Sequence, residues 1–311
     1  MKTPQLPEPN LQKALGIKNE VWFKFENKHH FGSHKGRSIP FMIDEYRKQG
    51  IKSFVISSSG NAALASLRTV LSHNKNKPQN PISLKIFVGK NIEAKKFEKL
   101  KNEIVGDGIT IEQTDNPKQD AFNFEKTAGA KMLRGSTDPL ALVGYQSLAE
   151  ELAKIQSAEG GIAAVFIPSS SGTCAEGLYL GFKNLPVRQA GLKLSPQIHI
   201  VQTNFCHPLT EEVYFQKGKP IPDEKEEHSL AGAIVDVVGR RREAVARAVI
   251  ETGGEGWMAS DEEIKKAIEL ARQTTNNELS PNSALSVVGL QKAVSAGWSW
   301  KGPVVCLITG E

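Results

Sequence analysis

Lys35 stands in a loop of small and polar residues, Gly32-Ser33-His34-Lys35-Gly36-Arg37, which leaves room for a flat ring beside its amine. A lysine that attacks a carbonyl must be neutral, so it needs a partly desolvated place on such a loop. Three more small-residue segments follow in order: Ser57-Ser58-Ser59-Gly60-Asn61-Ala62, then Ser169-Ser170-Ser171-Gly172-Thr173, and last Thr309-Gly310. An isolated lysine in a turn is ordinary surface. The ordered set is what gives Lys35 chemical meaning.

These segments need strands and helices to hold them. An apolar run at 163–167 reads as a strand and a helical pattern opens near Ala175, so Ser169 to Thr173 form a strand-to-helix turn. Backbone N–H groups, hydroxyls and the helix dipole can converge there, as a phosphate requires, while a plain serine-rich connection is the alternative for this segment taken alone. No Gly-Lys-Ser/Thr closes the loop and no GxGxxG is present, which argues against a nucleotide or dinucleotide cradle. Ser57 to Ala62 repeat the arrangement, with Phe54-Val55-Ile56 before and Ala63-Leu64-Ala65 after. Their donors suit a substrate carboxylate, and the Asn61 amide can reach a ring hydroxyl oxygen. An ordinary helix cap by Ser59 or Asn61 is the plainer alternative. The strand Pro303-Val304-Val305-Cys306-Leu307-Ile308 delivers Thr309, whose hydroxyl can meet a pyridine nitrogen. A neutral hydroxyl does not enforce ring protonation as a carboxylate would, which favours elimination and replacement over transamination. In this order the four segments read as a site for pyridoxal 5'-phosphate, with Lys35 as its Schiff-base lysine.

Elsewhere, short apolar runs at 21–25, 53–57, 84–88, 197–202 and 304–309 alternate with helical patterns at 39–49, 61–72, 94–102, 146–156, 175–182, 242–251, 261–274 and 284–294. Such alternation predicts an α/β fold with parallel sheets covered on both faces. Ser260 or Asp261 is expected to cap the helix near 261, with Lys265 and Lys266 facing solvent. The polar stretches 72–80 and 217–227 read as exposed connections. Tyr179 and Phe182 have the spacing of core residues. His29, His30 and His34 line or flank the lysine loop rather than bind metal, since Phe31-Gly32-Ser33 breaks regular structure between them. Arg240, Arg241 and Arg242 could attract a phosphate, but at a helix start they read rather as a solvated or inter-subunit charge run.

At 311 residues and 39% hydrophobic content the chain can bury two cores. Its 39 basic and 34 acidic residues leave a net charge of only +5, spread along the sequence, so nucleic acid is not an expected partner. Cys174, Cys206 and Cys306 form no CxxC pair and suggest free thiols in a reducing cytoplasm. No run approaches the roughly 20 apolar residues of a membrane span, and the opening residues lack a signal peptide's apolar region. A cytoplasmic protein with no membrane partner is the expectation.

The loops together resemble the tryptophan synthase beta-like family of fold type II pyridoxal phosphate enzymes, which includes threonine synthase, cysteine synthase and serine/threonine dehydratases. The likeness begins at Leu6-Pro7 and Trp22-Phe23-Lys24-Phe25-Glu26-Asn27 and continues through Gly144-Tyr145-Gln146-Ser147 and Ile167-Pro168-Ser169. It resumes at Val201-Gln202-Thr203-Asn204, Ala259-Ser260-Asp261-Glu262-Glu263-Ile264, Ser280-Pro281-Asn282-Ser283-Ala284 and Leu307-Ile308-Thr309-Gly310. The resemblance implies two parallel-sheet, three-layer domains with the cofactor in the cleft between them. Residues 1–42 and 148–311 would form the larger, cofactor-binding domain, and 43–147 a smaller one carrying the substrate-carboxylate loop. It also implies Lys35 as catalytic base, Asn61 as ring-hydroxyl partner, Ser169 to Thr173 as phosphate loop, Thr309 as ring-nitrogen partner, and a homodimer. Within the family the likeness runs to threonine synthase, which implies conversion of an amino-acid substrate, O-phosphohomoserine, with water to threonine and phosphate. Gly36 stands where those enzymes usually carry an acidic residue, and Ser280 where a glutamate is usual. The alternatives are a serine/threonine dehydratase and a catalytically degenerate, cofactor-binding regulatory protein.

Overall fold

Strands with both faces covered should be apolar without alternation, and Ala164–Pro168 and Val304–Ile308 are buried at every residue. In a computed structural model, which describes residues 2–157, 160–185, 195–223 and 225–310, these two strands lie side by side at the centre of a sheet. In chain order the strands are β1 (Gln5–Pro7), β2 (Val21–Phe25), β3 (Ser53–Ser57), β4 (Ser83–Gly89), β5 (Ile109–Thr114), β6 (Lys131–Met132), β7 (Gln156–Ser157), β8 (Gly160–Gly161), β9 (Ala164–Pro168), β10 (Gln197–Thr203), β11 (Gly256–Ala259) and β12 (Val304–Ile308).

Two compact units divide the chain, one of Met1–Lys28 with Tyr145–Glu311 and the other of His29–Gly144. The first holds a six-stranded sheet of order β1-β2-β12-β9-β10-β11, parallel except for β1 against β2. Alternate residues feed two cores. Ala164, Phe166, Val304, Cys306 and Ile308 face one, together with the helix Pro281–Ser295. Val165, Ile167, Val305 and Leu307 face the other, with the helices Gln146–Leu152, Thr173–Asn184 and Arg242–Glu251. Tyr179 and Phe182 belong to that second core, as their spacing predicts. Helix and sheet approach closely where Gly289 faces β10: a Cβ there would lie 2.4 Å from Val201 Cγ2.

The second unit carries a four-stranded parallel sheet of order β5-β4-β3-β6. Phe54 and Ile56 of β3 face one core, with Ile39, Met42 and Ile43 of the helix Lys35–Lys48 and Leu64 and Leu67 of the helix Asn61–Asn76. Val55 faces the other, beside Ala121 of the helix Pro117–Ala128. The fold is thus the expected α/β arrangement with a parallel sheet in each unit. The units divide at 28/29 and 144/145, against the expected 42/43 and 147/148. The reason is local: Lys35–Lys48 packs on Asn61–Asn76 and on Leu140–Gly144, where a Cβ on Gly144 would come within 2.4 Å of the Arg37 carbonyl oxygen.

Some local expectations change. The helix expected at 39–49 starts at Lys35 and runs through Pro40. Residues 72–76, read as an exposed connection, complete Asn61–Asn76, and Asn74 bonds both the N–H and the C=O of Ile82 at 2.9 Å. Helix Asp261–Thr275 opens on the expected cap, a reciprocal box between Ser260 and Glu263, with Lys265 and Lys266 exposed. All three cysteines are buried and free. Among the described residues no helix is long and apolar enough to cross a membrane.

Candidate active site

In the second unit Lys35 is the first residue of its helix, and the turn ahead of it is tightly bonded. The Gly32 N–H donates to the His29 carbonyl at 2.7 Å, the Gly36 N–H to Ser33 at 2.9 Å and the Arg37 N–H to His34 at 3.0 Å. The Lys35 N–H meets the Ser33 hydroxyl at 3.3 Å, and Ser33 is fully buried. Gly32 has φ +90°, a left-handed conformation that glycine adopts freely. A Cβ there would also strike Arg68 Nη1 at 2.7 Å. Arg68 is locked in turn by a two-pronged bond to Glu103, at 2.7 and 2.6 Å. The lysine loop therefore rests on the first turns of Asn61–Asn76.

That helix is preceded by Ser57 at the end of β3 and by Ser58, whose N–H donates to the Phe87 carbonyl at 3.3 Å. Its N-cap is Gly60, with no side-chain cap, which sets aside the plainer reading of a capped start. Among the described residues the N–H groups of Ser59, Ala62 and Ala63 find no acceptor. A helix start left with such donors is an anion site, and the hydroxyls beside it suit a carboxylate.

The first unit holds the other candidates. Ser169 is buried, with its N–H on the Val201 carbonyl at 2.9 Å and its hydroxyl on the Ile167 carbonyl at 3.0 Å. The Ser170 hydroxyl accepts from the N–H groups of Val235 and Asp236, at 3.2 and 3.3 Å. Ser171 and Thr173 bond each other through their hydroxyls at 2.9 Å. Gly172, at φ +79°, is the N-cap of Thr173–Asn184 and again no side chain caps the helix. The N–H groups of Ser170, Ser171 and Gly172 have no acceptor among the described residues. Neutral hydroxyls, unbonded N–H groups and a helix start fit a phosphate dianion. The one carboxylate in the helix's first turn, Glu176, is paired with Arg241 at 2.9 Å. Thr309, at the end of β12, is 4% exposed in the same unit.

The sequence-derived residues thus form two sets: Lys35 with Ser57 to Ala62 in one unit, Ser169 to Thr173 with Thr309 in the other. Three supports were not foreseen. Arg241 belongs to a run that reads as solvated, yet its side chain is 10% exposed and pairs with Glu176. The strap at 235–236 holds Ser170. Gln202 Oε1 accepts from the Leu209 and Thr210 N–H groups, at 2.9 and 3.0 Å, and so caps the helix Pro208–Gln216 under Gly172. Of these, the Val-Gln segment at 201 and the arginine run at 240–242 stand out in the sequence.

A family model described as pyridoxal-phosphate dependent enzyme matches residues 1–310. A threonine synthase of Methanocaldococcus jannaschii is 25% identical over 318 residues, covering 99% of this chain and 74% of that protein. An L-serine dehydratase/L-threonine deaminase of Mus musculus is 29% identical over 191 residues, 60% of this chain and 56% of that protein. The processed form of threonine deaminase isoform 2 from Solanum lycopersicum superimposes with a TM-score of 0.78 over 100% of this chain and 79% of that one, at 19% identity. At that identity the likeness is one of fold.

Proposed function

The chain belongs to the pyridoxal-phosphate dependent enzyme family, and on that premise we propose that it is an amino-acid lyase of the threonine synthase kind, converting O-phosphohomoserine and water to threonine and phosphate. The observation that carries the amino-acid lyase reading is the pair of helix starts at Asn61 and Thr173 without a side-chain cap, one anion cradle in each unit, which suits a threonine synthase and a dehydratase alike. One suits the substrate carboxylate and the other the cofactor phosphate. The relative named threonine synthase aligns over 99% of this chain, which supports the choice within the family.

When bound, pyridoxal phosphate supplies an electron-withdrawing ring that acidifies the substrate Cα–H and stabilises the charge left behind. The chain's own residues do the rest. Ser170 to Thr173 would hold the phosphate through N–H and hydroxyl donors on a loop that Ser169 anchors through its bonds to the Val201 and Ile167 carbonyls, Asn61 would meet the ring hydroxyl oxygen, and Thr309 would offer its hydroxyl to the ring nitrogen. Ser57 to Ala62 orient the substrate by its carboxylate. Lys35 Nζ accepts the Cα proton and returns protons later in the reaction, a role that needs its amine neutral. Loss of phosphate from Cγ and addition of water at Cβ balance the overall change. The reading includes a cytoplasmic homodimer.

A serine/threonine dehydratase is the second reading, favoured by the 29% match to the mouse enzyme. Its leaving group is hydroxide, so it needs no anion site beyond those for cofactor phosphate and carboxylate. Purified protein and Lys35→Ala, each given pyridoxal phosphate and then O-phosphohomoserine or serine, test both readings. A visible absorption band in the parent alone, with release of phosphate, is the expected result. Release of a 2-oxoacid from serine instead selects the dehydratase. Identical, featureless spectra from both proteins would remove both readings in favour of a degenerate binding protein.

A further inference from the structure

The segment 235–241 meets the phosphate loop and its helix at two points. At the first, the N–H groups of Val235 and Asp236 donate to the Ser170 hydroxyl oxygen, at 3.2 and 3.3 Å. A hydroxyl has two lone pairs and one proton, so both acceptor positions of Ser170 are taken and only its proton is left to give. Among the described residues nothing accepts that proton. At the second point Arg241 Nη1 pairs with Glu176 Oε2 at 2.9 Å, with the two side chains 10% and 14% exposed. Between the two, Asp236 Oδ1 accepts the Val238 and Gly239 N–H groups at 3.2 and 3.3 Å. Gly239, at φ +54°, lies where a Cβ would be 3.2 Å from Pro208 Cβ, at the start of the helix whose Leu209 lies under Gly172. The segment is therefore tied to the loop and packed on the helix beneath it.

Glu176 is the charge that matters most to that loop. Its N–H donates to the Gly172 carbonyl at 3.0 Å, which puts it one turn, roughly 5 Å along the axis, from the cap of Thr173–Asn184. A carboxylate in a first turn ordinarily suits the positive end of a helix. When the same end must take a phosphate dianion, the two negative groups share one dipole and repel each other, with little screening because Glu176 is largely enclosed. Arg241 removes the conflict, since a guanidinium keeps its charge at every working pH and cancels the carboxylate where it stands. Arg240 is exposed and Arg242 lies 3.7 Å from Glu212. Arg241 is the member of the run that meets the phosphate-loop helix.

We propose that the segment 235–241 sets the polarity of the phosphate loop: it leaves the Ser170 hydroxyl able only to donate, and Arg241, a positioning residue acting through Glu176, cancels the negative charge that would oppose a dianion. This rests on the reading of Ser169 to Thr173 as the cofactor-phosphate cradle given above. Both effects act on the phosphate, and neither depends on the cofactor's ring or aldehyde. Their contribution therefore vanishes for a ligand that has the ring and aldehyde but no phosphate, which separates them from a general loosening of the fold.

The test titrates the full chain, freed of cofactor, with pyridoxal phosphate and separately with pyridoxal, which lacks the phosphate, and reads the visible absorption band. The variants are Arg241→Ala, Glu176→Gln, the two combined, Ser170→Ala, and Arg240→Ala as a control for charge alone. Arg241→Ala should raise the half-saturating concentration of pyridoxal phosphate about tenfold or more and leave that of pyridoxal within about twofold. Combined with Glu176→Gln it should return to within about threefold of the parent, because the opposing charge is gone. Ser170→Ala should weaken pyridoxal phosphate and spare pyridoxal, and Arg240→Ala should match the parent. The role of Arg241 is overturned by parental affinity in Arg241→Ala, by equal weakening toward both ligands, by no recovery in the combined variant, or by an equal loss in Arg240→Ala. An unchanged Ser170→Ala overturns the role of the hydroxyl. A parent that binds pyridoxal as tightly as pyridoxal phosphate overturns the phosphate-loop reading itself, and the proposal with it. Should Arg241→Ala fail to fold, Glu176→Gln alone decides: it removes the carboxylate, keeps the guanidinium and should lower the half-saturating concentration of pyridoxal phosphate, and an unchanged or higher value overturns the proposal.

Discussion

The His29 imidazole occupies the place where a side chain on residue 36 would begin: a Cβ there would lie 2.1 Å from Nδ1 and 2.4 Å from Cε1. His29 is 7% exposed, its Nδ1 accepts the Phe31 N–H at 3.2 Å, and its ring stacks on Phe31 at 5.7 Å. Gly36 is the residue after Lys35, so the packing of one histidine and the placement of the lysine are one arrangement. It gives the glycine at 36 a reason in packing.

Gly36→Ala must therefore expel His29 or shift the helix start. We expect a loss of about 1–3 kcal/mol in unfolding free energy, the usual cost of overpacking, together with weaker cofactor binding. His29→Ala combined with Gly36→Ala should recover much of the stability, since the clash is gone. Urea unfolding of the three variants checks this, and a double variant as unstable as Gly36→Ala would show that the clash is not the cause.

Gly172→Ala tests the phosphate loop. The residue sits at φ +79°, and a Cβ would meet Val245 Cγ2 at 2.5 Å and Leu209 Cδ1 at 3.2 Å. The left-handed conformation alone costs a non-glycine residue about 1–2 kcal/mol. Because the strain falls on the N-cap of Thr173–Asn184, the variant should need about tenfold or more pyridoxal phosphate for half-saturation. Titration of the visible band measures it directly.

Lys24 and Glu151 form a buried ion pair at 2.5 Å, with the lysine fully enclosed. Lys24 Nζ also donates to the Thr3 carbonyl at 3.0 Å, and Glu151 accepts the Thr3 N–H at 3.2 Å, which ties the N-terminal segment to Gln146–Leu152. Removing one partner leaves an uncompensated buried charge, so Glu151→Ala should destabilise by about 3–5 kcal/mol. Lys24→Met with Glu151→Leu should cost much less than the sum of the two single changes. Denaturation of the singles and the double forms the cycle that tests it.

His199 predicts an acid-side loss of stability. Its ring stacks on Phe166 at 4.5 Å and accepts the Trp257 indole N–H at Nδ1, 3.1 Å away. Burial pushes its pKa down from 6.5 to about 3. Between those values the unfolded chain takes up a proton that the folded chain refuses. Stability at this site is complete above pH 6.5 and falls as pH drops toward 3, by about 1.4 kcal/mol per pH unit in the steepest stretch. The difference in unfolding free energy between the parent and His199→Asn, followed from pH 7 to 5, should shrink accordingly. A constant difference would show that His199 titrates normally.

How much of this was legible in sequence depended on burial. β3 and β12 follow apolar runs because both faces of each strand are covered, and β2 reads the same way apart from Lys24, whose charge is paired inside the fold. β5, Ile-Thr-Ile-Glu-Gln-Thr, carries no apolar run because it is an edge strand whose Glu112 and Gln113 face solvent. β11 is four residues long and completes its sheet only through its pairing with β10. The start of Lys35–Lys48 was hidden by Gly36 and Pro40, both poor helix residues. Packing against Gly144 and His29 overrides that preference.

By itself the sequence determined the chemistry-bearing loops, their order and the alternation of strand with helix, because residue type and apolar period are local properties of the chain. Tertiary structure alone decided which described N–H groups at 59–63 and 170–172 stay unbonded and why Gly36 and Gly172 must be glycine. Each of those depends on atoms brought together from distant positions, and no local pattern encodes a distance.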